Sequence, residues 1–186
     1  MMTATTRHAE SALRVVLVLI GLFLVFSALL PLYHALAAAP DDEIQVRISA
    51  SQIAPRPLEE VVGRAIVQQY SRAWKNLETA LDQNNTDVLN ESFIGYAQDK
   101  LNMKIAEQKK NLLSTRYIDH GHQVDAILYS RDGSVVELRD TTQLEIQYFD
   151  GGKVVASENA TRHYIAVVTL VDDRWRVRVL DSVPSF

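Results

Sequence analysis

The chain has 186 residues, enough for one domain of ordinary size with an appendage, and carries 19 basic against 23 acidic side chains, a net charge of −4. That balance argues against a nucleic-acid binder, which needs a basic stripe to displace counterions from phosphates. The absence of cysteine excludes a disulfide scaffold, a thiol nucleophile, an iron–sulfur centre and a cysteine zinc site.

Residues 1–14 form a short tail containing Arg7 and Arg14, and from 15 to 39 no side chain is charged. Thirteen of the sixteen residues from Val15 to Leu30 are Leu, Ile, Val or Phe, worth roughly −6 kcal/mol on the insertion scale. Carried on to Leu36, the run is about 22 residues, or about 33 Å of helix, which matches the hydrocarbon core. Residues 15–39 are therefore predicted to be a single transmembrane helix. Arginines before it and Asp41, Asp42 and Glu43 after it put the N-terminus in the cytoplasm and the rest outside, across a bacterial inner membrane. A cleaved signal peptide is the competing reading, because Ala37-Ala38-Ala39 fits the small-residue cleavage pattern; the apolar run is longer than such peptides use.

Residues 40–57, with Pro40, Pro55 and Pro57, read as an extended tether. Within it Ile44, Val46 and Ile48 alternate with polar residues, a strand period. Such a strand would pair with the domain's own sheet or with a partner's edge; a plain linker is the alternative.

Residues 58–186 form the folded domain. Pro57, Glu59 and Glu60 mark a helix start, and Val62, Ile66, Tyr70, Ala73, Trp74, Leu77 and Leu81 recur at helical spacing until Asn84-Asn85. A short second helix follows Asp87, and a third after Gly95 presents Ala97, Leu101, Ile105 and Leu112 on one face. From Thr115 the period becomes two. Four runs, about 116–129, 135–149, 154–170 and 175–183, are separated by Asp132-Gly133, Gly151-Gly152 and Asp172-Asp173. Strands this long must bend, through bulges, around the helices. The expected class is α+β, with about three helices on a strongly curved four-stranded antiparallel sheet.

Several residues carry a resemblance. Gln69-Tyr70 and Trp74, the hairpin Tyr148-Phe149-Asp150-Gly151-Gly152, Arg162-His163-Tyr164 and the closing Asp172-Asp173-Arg174-Trp175-Arg176-Val177 resemble the nuclear-transport-factor-2-like, or cystatin-like cone, superfamily over roughly residues 58–183. Within it the chain is similar to the intermembrane-space domain of chloroplast-division proteins and, in overall plan, to the bitopic assembly subunit of type IV secretion systems. The resemblance implies a cone of helices in a curved sheet. It implies enzymes, ligand binders and scaffolds alike, the membrane-tethered members being mostly interaction modules and the enzymes placing Asp or His deep in the cone.

Among chemical candidates, His120 and His122 flank Gly121 and point to one strand face, as metal ligands would; Asp119 and Asp125 point to the other unless Gly121 supplies a bulge. A third ligand would have to be His163. Asp140, beside Leu138, is the one carboxylate whose face is internal, and no second acid is placed with it. No nucleophile elbow, phosphate loop or dinucleotide fingerprint occurs, and no cofactor is implied. On the last strand Arg174, Arg176 and Arg178 alternate with Trp175, Val177 and Val179, either as cross-strand ion pairs or as a docking stripe.

The leading expectation is a single-pass membrane protein whose exported cone is a non-catalytic assembly module. Its contact surface would comprise Arg174, Arg176 and Arg178, with the strand Ile44, Val46 and Ile48. The alternatives are a cone holding a small apolar ligand against Tyr70, Trp74, Tyr117, Tyr148, Tyr164 and Trp175, and an enzyme using Asp140 or the His120/His122 cluster.

Overall fold

A computed structural model describes residues 45–51 and 53–186. The predicted tail, the predicted span over 15–39 and, of the tether, residues 40–44 (Ile44 among them) and 52 lie outside the described residues. Among the described residues no helix is long and apolar enough to cross a membrane.

The predicted stripe forms helix α1, Glu60–Gln83, whose buried face is Gly63, Ile66, Tyr70, Ala73, Trp74, Leu77, Ala80 and Leu81. It ends at Asn84, which takes the left-handed conformation (φ 51°) and donates its backbone N–H to Ala80. A short polar side chain tolerates that conformation better than most. The Asn84 side chain then donates to the Leu113 carbonyl at 2.7 Å, pinning the helix end to the sheet. The expected second helix is a 3₁₀ turn, Asp87–Glu91, with Leu89 buried. Helix α2, Gly95–Lys110, buries Ala97, Ile105 and Gln108. Leu112 does not join this face: with φ 58° it turns the chain into the sheet and stands 78% exposed.

Six strands follow in chain order: β1 (Val46–Ser49), β2 (Ala54–Pro55), β3 (Leu113–Tyr129), β4 (Val135–Asp150), β5 (Lys153–Val171) and β6 (Arg174–Val183). The sheet order is β1-β3-β4-β5-β6, with β2 also on β3. The four long strands are antiparallel, as expected, and the two expected two-residue hairpin loops are present. Gly151 and Gly152 have φ 54° and 80°, and Asp172 and Asp173 φ 50° and 59°, the positive angles that such loops require.

The sheet is nevertheless mixed, with six strands rather than four. β1 pairs in parallel with β3, Val46 opposite His122 and Ile48 opposite Val124. Val46 and Ile48 pack on the core, so the region read as a tether belongs to the domain from there onward. The alternation was a true strand signal, and the strand serves the chain's own sheet. Bulges at Asp119/His122, Ala126/Leu128, Tyr148/Phe149 and Val167/Val168 interrupt the long pairings. These are the irregularities that let such strands curve around α1.

Candidate functional site

The bulge in β3 builds the centre of the domain. Asp119 is opposite Leu144, but His122 is opposite Thr142, so β3 advances three residues while β4 advances two. Gly121, at φ 128°, supplies the extra residue in a conformation that L side chains rarely adopt. Strict alternation would put Asp119 and His122 on opposite faces; the bulge turns both inward and leaves His120 exposed.

His122 then lies between two carboxylates. Its Nε2 is 2.6 Å from Asp119 Oδ2, and its Nδ1 is 2.8 and 2.9 Å from the two oxygens of Asp140. Asp119 Oδ1 accepts from the Gly121 N–H at 2.6 Å, so the carboxylate also fastens the bulge. From α1, the Tyr70 hydroxyl donates to Asp140 Oδ2 at 2.8 Å. Asp140 is fully buried and His122 is 4% exposed.

Burial works against the imidazolium, but hydrogen bonds to Asp119 and Asp140, reinforced by their charges, outweigh it and raise the His122 pKa to about 9. At neutral pH the ring is charged and donates both N–H groups. The imidazolium is thus held between two buried carboxyl groups. Burial, and then the nearby Asp140 charge, push the Tyr70 hydroxyl well above its ordinary range, so it remains a donor.

Aromatic rings cover this cluster. The Trp74 ring centroid is 4.5 Å from that of His122, and Tyr164 meets Trp74 edge-on at 5.1 Å. Beyond Tyr164, at the cone mouth, is a cavity of about 310 Å³ between the helices and the concave sheet face. Tyr117, Tyr148 and Tyr164 line it, as the ligand reading expected, and Lys100, Lys104 and Arg162 stand around it. Lys104 donates to the Tyr117 hydroxyl at 3.2 Å; Lys100 pairs with Asp181 at 2.6 Å and Arg162 with Glu158 at 2.9 Å. Tyr70, Trp74 and Trp175 do not line the cavity. Tyr70 and Trp74 are 1% exposed and Trp175 7%, all three in the core.

The His120/His122 pair does not converge on one point. Both nitrogens of His122 are engaged by carboxylates, His120 faces the other side, and among the described residues no group of three His, Asp or Glu is placed to hold a metal. His163 also faces outward, 3.1 Å from the Thr141 hydroxyl with its ring 5.2 Å from Phe186.

The arginine stripe is broken as well. Val177 pairs with Val168 and Val179 with Val167, leaving Arg178 at the bulge without a partner residue. Its Cγ lies 3.9 Å from where a Cβ on Gly95 would sit, turned toward the start of α2. Past the bulge, Leu180 rather than Val179 faces the core. Arg174 and Arg176 alone keep the predicted outward spacing.

No protein-family model matches this sequence, and no curated protein matches it. Solved structures do resemble it. The intermembrane space region of chloroplast protein ARC6 is 18% identical, with TM-score 0.60, over 70% of this chain and all of that one. A candidate dehydratase of the NTF2-like family from Streptomyces avermitilis is 11% identical, with TM-score 0.46, over 66% of this chain and 99% of the other. A candidate scytalone dehydratase from Novosphingobium aromaticivorans is 17% identical, with TM-score 0.45, over 66% and 85%. At these identities the likeness is one of fold, the cone expected from the sequence, and it does not choose among functions.

Proposed function

We propose that the chain is a membrane-tethered, non-catalytic interaction module that joins a larger envelope assembly through the outside of its cone. The observation that carries this reading is how completely the polar interior is spoken for. Asp119, His122, Asp140 and Tyr70 bond to one another with their side chains buried, and Trp74 lies against the His122 ring with Tyr164 against Trp74, so each polar group already has its partner inside the domain. A general acid or base must come within about 3 Å of the proton it moves. Saturated, buried networks of this kind hold a core in one arrangement. The apolar run at 15–39 supplies the tether, and the ARC6 region, which shares the fold, comes from a membrane-bounded compartment.

The experiment is purification of the full chain from its own membranes in mild detergent, followed by identification and quantification of co-purifying proteins. A partner in fixed stoichiometry supports the reading; a clean monomer overturns it. The cavity favours a second reading, retention of a small amphipathic ligand beneath Tyr148 with its polar end at Lys104. Native mass spectrometry of the same preparation tests it: a stoichiometric adduct supports that reading, and the bare polypeptide mass contradicts it.

A further inference from the structure

β5 is longer than the strand beside it. β6 covers it only from His163 to Val171, the last pair being His163 with Val183. Pro184, which has no N–H to give a ladder, follows at once, and Phe186 packs against His163 and Arg139. Residues 153–162 therefore have β4 on one side and, among the described residues, no strand on the other. That open edge is about 33 Å long.

The backbone there is oriented for pairing. The Leu170 N–H donates to Ser134, on the β4 side, and β5 runs without interruption from Thr169 to Ala156. With a period of two, even-numbered residues turn their backbone groups to β4, and Ser157, Asn159 and Thr161 turn theirs outward. Every residue from 151 to 159 is exposed, including Val154 at 53% and Val155 at 60%. From Ala156 to Arg162 this is a regular, ladder-ready edge; the bulge opposite Tyr148 and Phe149 shifts Lys153, Val154 and Val155 by one residue, and an added strand that reaches Lys153 follows that bulge.

Charge selects the occupant. Two copies pairing antiparallel along the whole edge would set Lys153 against Arg162 at both ends, a like-charge arrangement that destabilises such pairs. Lys153 has no acidic partner among the described residues. At the adjacent cone mouth the three cations Lys100, Lys104 and Arg162 meet two acids, Asp181 and Glu158.

We propose that the open edge of β5, residues 153–162, accepts by strand addition an extended segment of a partner protein, acidic at its two ends and apolar on the side facing the cone. This rests on the interaction-module reading and gives it an address. Alternate outward backbone groups supply the ladder, the ends of the segment meet Arg162 and Lys153, and its inward residues lie beside Ala156 and Ala160 at the cavity mouth.

The test uses the full chain in detergent and the synthetic peptide Glu-Thr-Val-Thr-Lys-Thr-Val-Thr-Val-Glu, written antiparallel to 162–153 so that its Lys meets Glu158. Binding with slowed amide exchange at Ser157, Asn159 and Thr161 is expected. Asn159→Pro, which removes one outward N–H and leaves the β4 ladder intact, should weaken binding at least tenfold. Lys153→Glu, an exposed change, should favour over the original a peptide in which only the C-terminal Glu, opposite position 153, is replaced by Lys. Protection elsewhere, or equal affinity for both peptides in both proteins, would overturn the proposal. Co-purification separates the two levels. A partner held by the parent and lost with Asn159→Pro supports both; a partner held by both sinks the edge alone; no partner in either sinks the module reading. A concentration-dependent dimer abolished by Asn159→Pro would reassign the edge to a second copy.

Discussion

The pH dependence of stability should report the buried charge cluster directly. His122 is the group concerned, with a pKa near 6.5 in the unfolded chain and about 9 in the folded one. A raised folded pKa means that the native state holds the proton more tightly. The contribution is therefore complete below about pH 6.5 and is lost as pH rises through 9. Over that window the folded chain keeps one proton that the unfolded chain has released, so stability falls by about 1.4 kcal/mol per pH unit, about 3 kcal/mol in all. Urea unfolding of the full chain in detergent, followed by tryptophan fluorescence at pH 6, 7.5 and 9, measures it, since Trp74 sits against the imidazole. Titration of His122 by NMR assigns it. Asp119→Asn removes one of the two carboxylates and should lower the His122 pKa and flatten the slope. A wild-type stability that is level from pH 6.5 to 9, or a slope unchanged in Asp119→Asn, would refute the reasoning.

Three further outcomes test the same architecture. Tyr70→Phe removes the hydroxyl that donates to Asp140 and should cost about 1–3 kcal/mol by urea midpoint, because a buried carboxylate oxygen loses a donor. Gly121→Ala should cost about 1–3 kcal/mol through backbone strain at φ 128°; since the nearest atom to the new Cβ is an ordinary 3.7 Å away, an unchanged midpoint would mean that the bulge is not held there. Trp74→Ala should cost about 3–5 kcal/mol and admit water to His122, seen as faster exchange of its ring protons; a ring still protected would show that the aromatic lid is not what closes the cluster.

The architecture was legible where periodicity and turn chemistry are local. The α1 stripe from Ile66 to Leu81, the double glycine at 151–152 and the shift to period two after Thr115 each specify an element without help from the rest of the chain. Asp140 could be placed inside from its neighbour Leu138 because β4 is regular around both. Its companions could not. Alternation assigns Asp119 and His122 to opposite faces, and only a bulge at Gly121, visible in the sequence as a glycine within a strand pattern, reverses that assignment. The arginine stripe failed for the same reason at Arg178. A one-residue insertion flips every side chain beyond it, so errors of this kind concentrate at bulges. The role of Tyr70 depends on α1 crossing β4 at a chain separation of 70 residues, a contact that no local pattern encodes.

The central claim, that this cone acts through its outside, is tested most directly by the mass of the complex released from the chain's own membranes in mild detergent. The account predicts a particle heavier than the 20.9 kDa chain plus its micelle, containing a second polypeptide in fixed ratio. A homogeneous particle holding one copy of this chain and no other protein would contradict it.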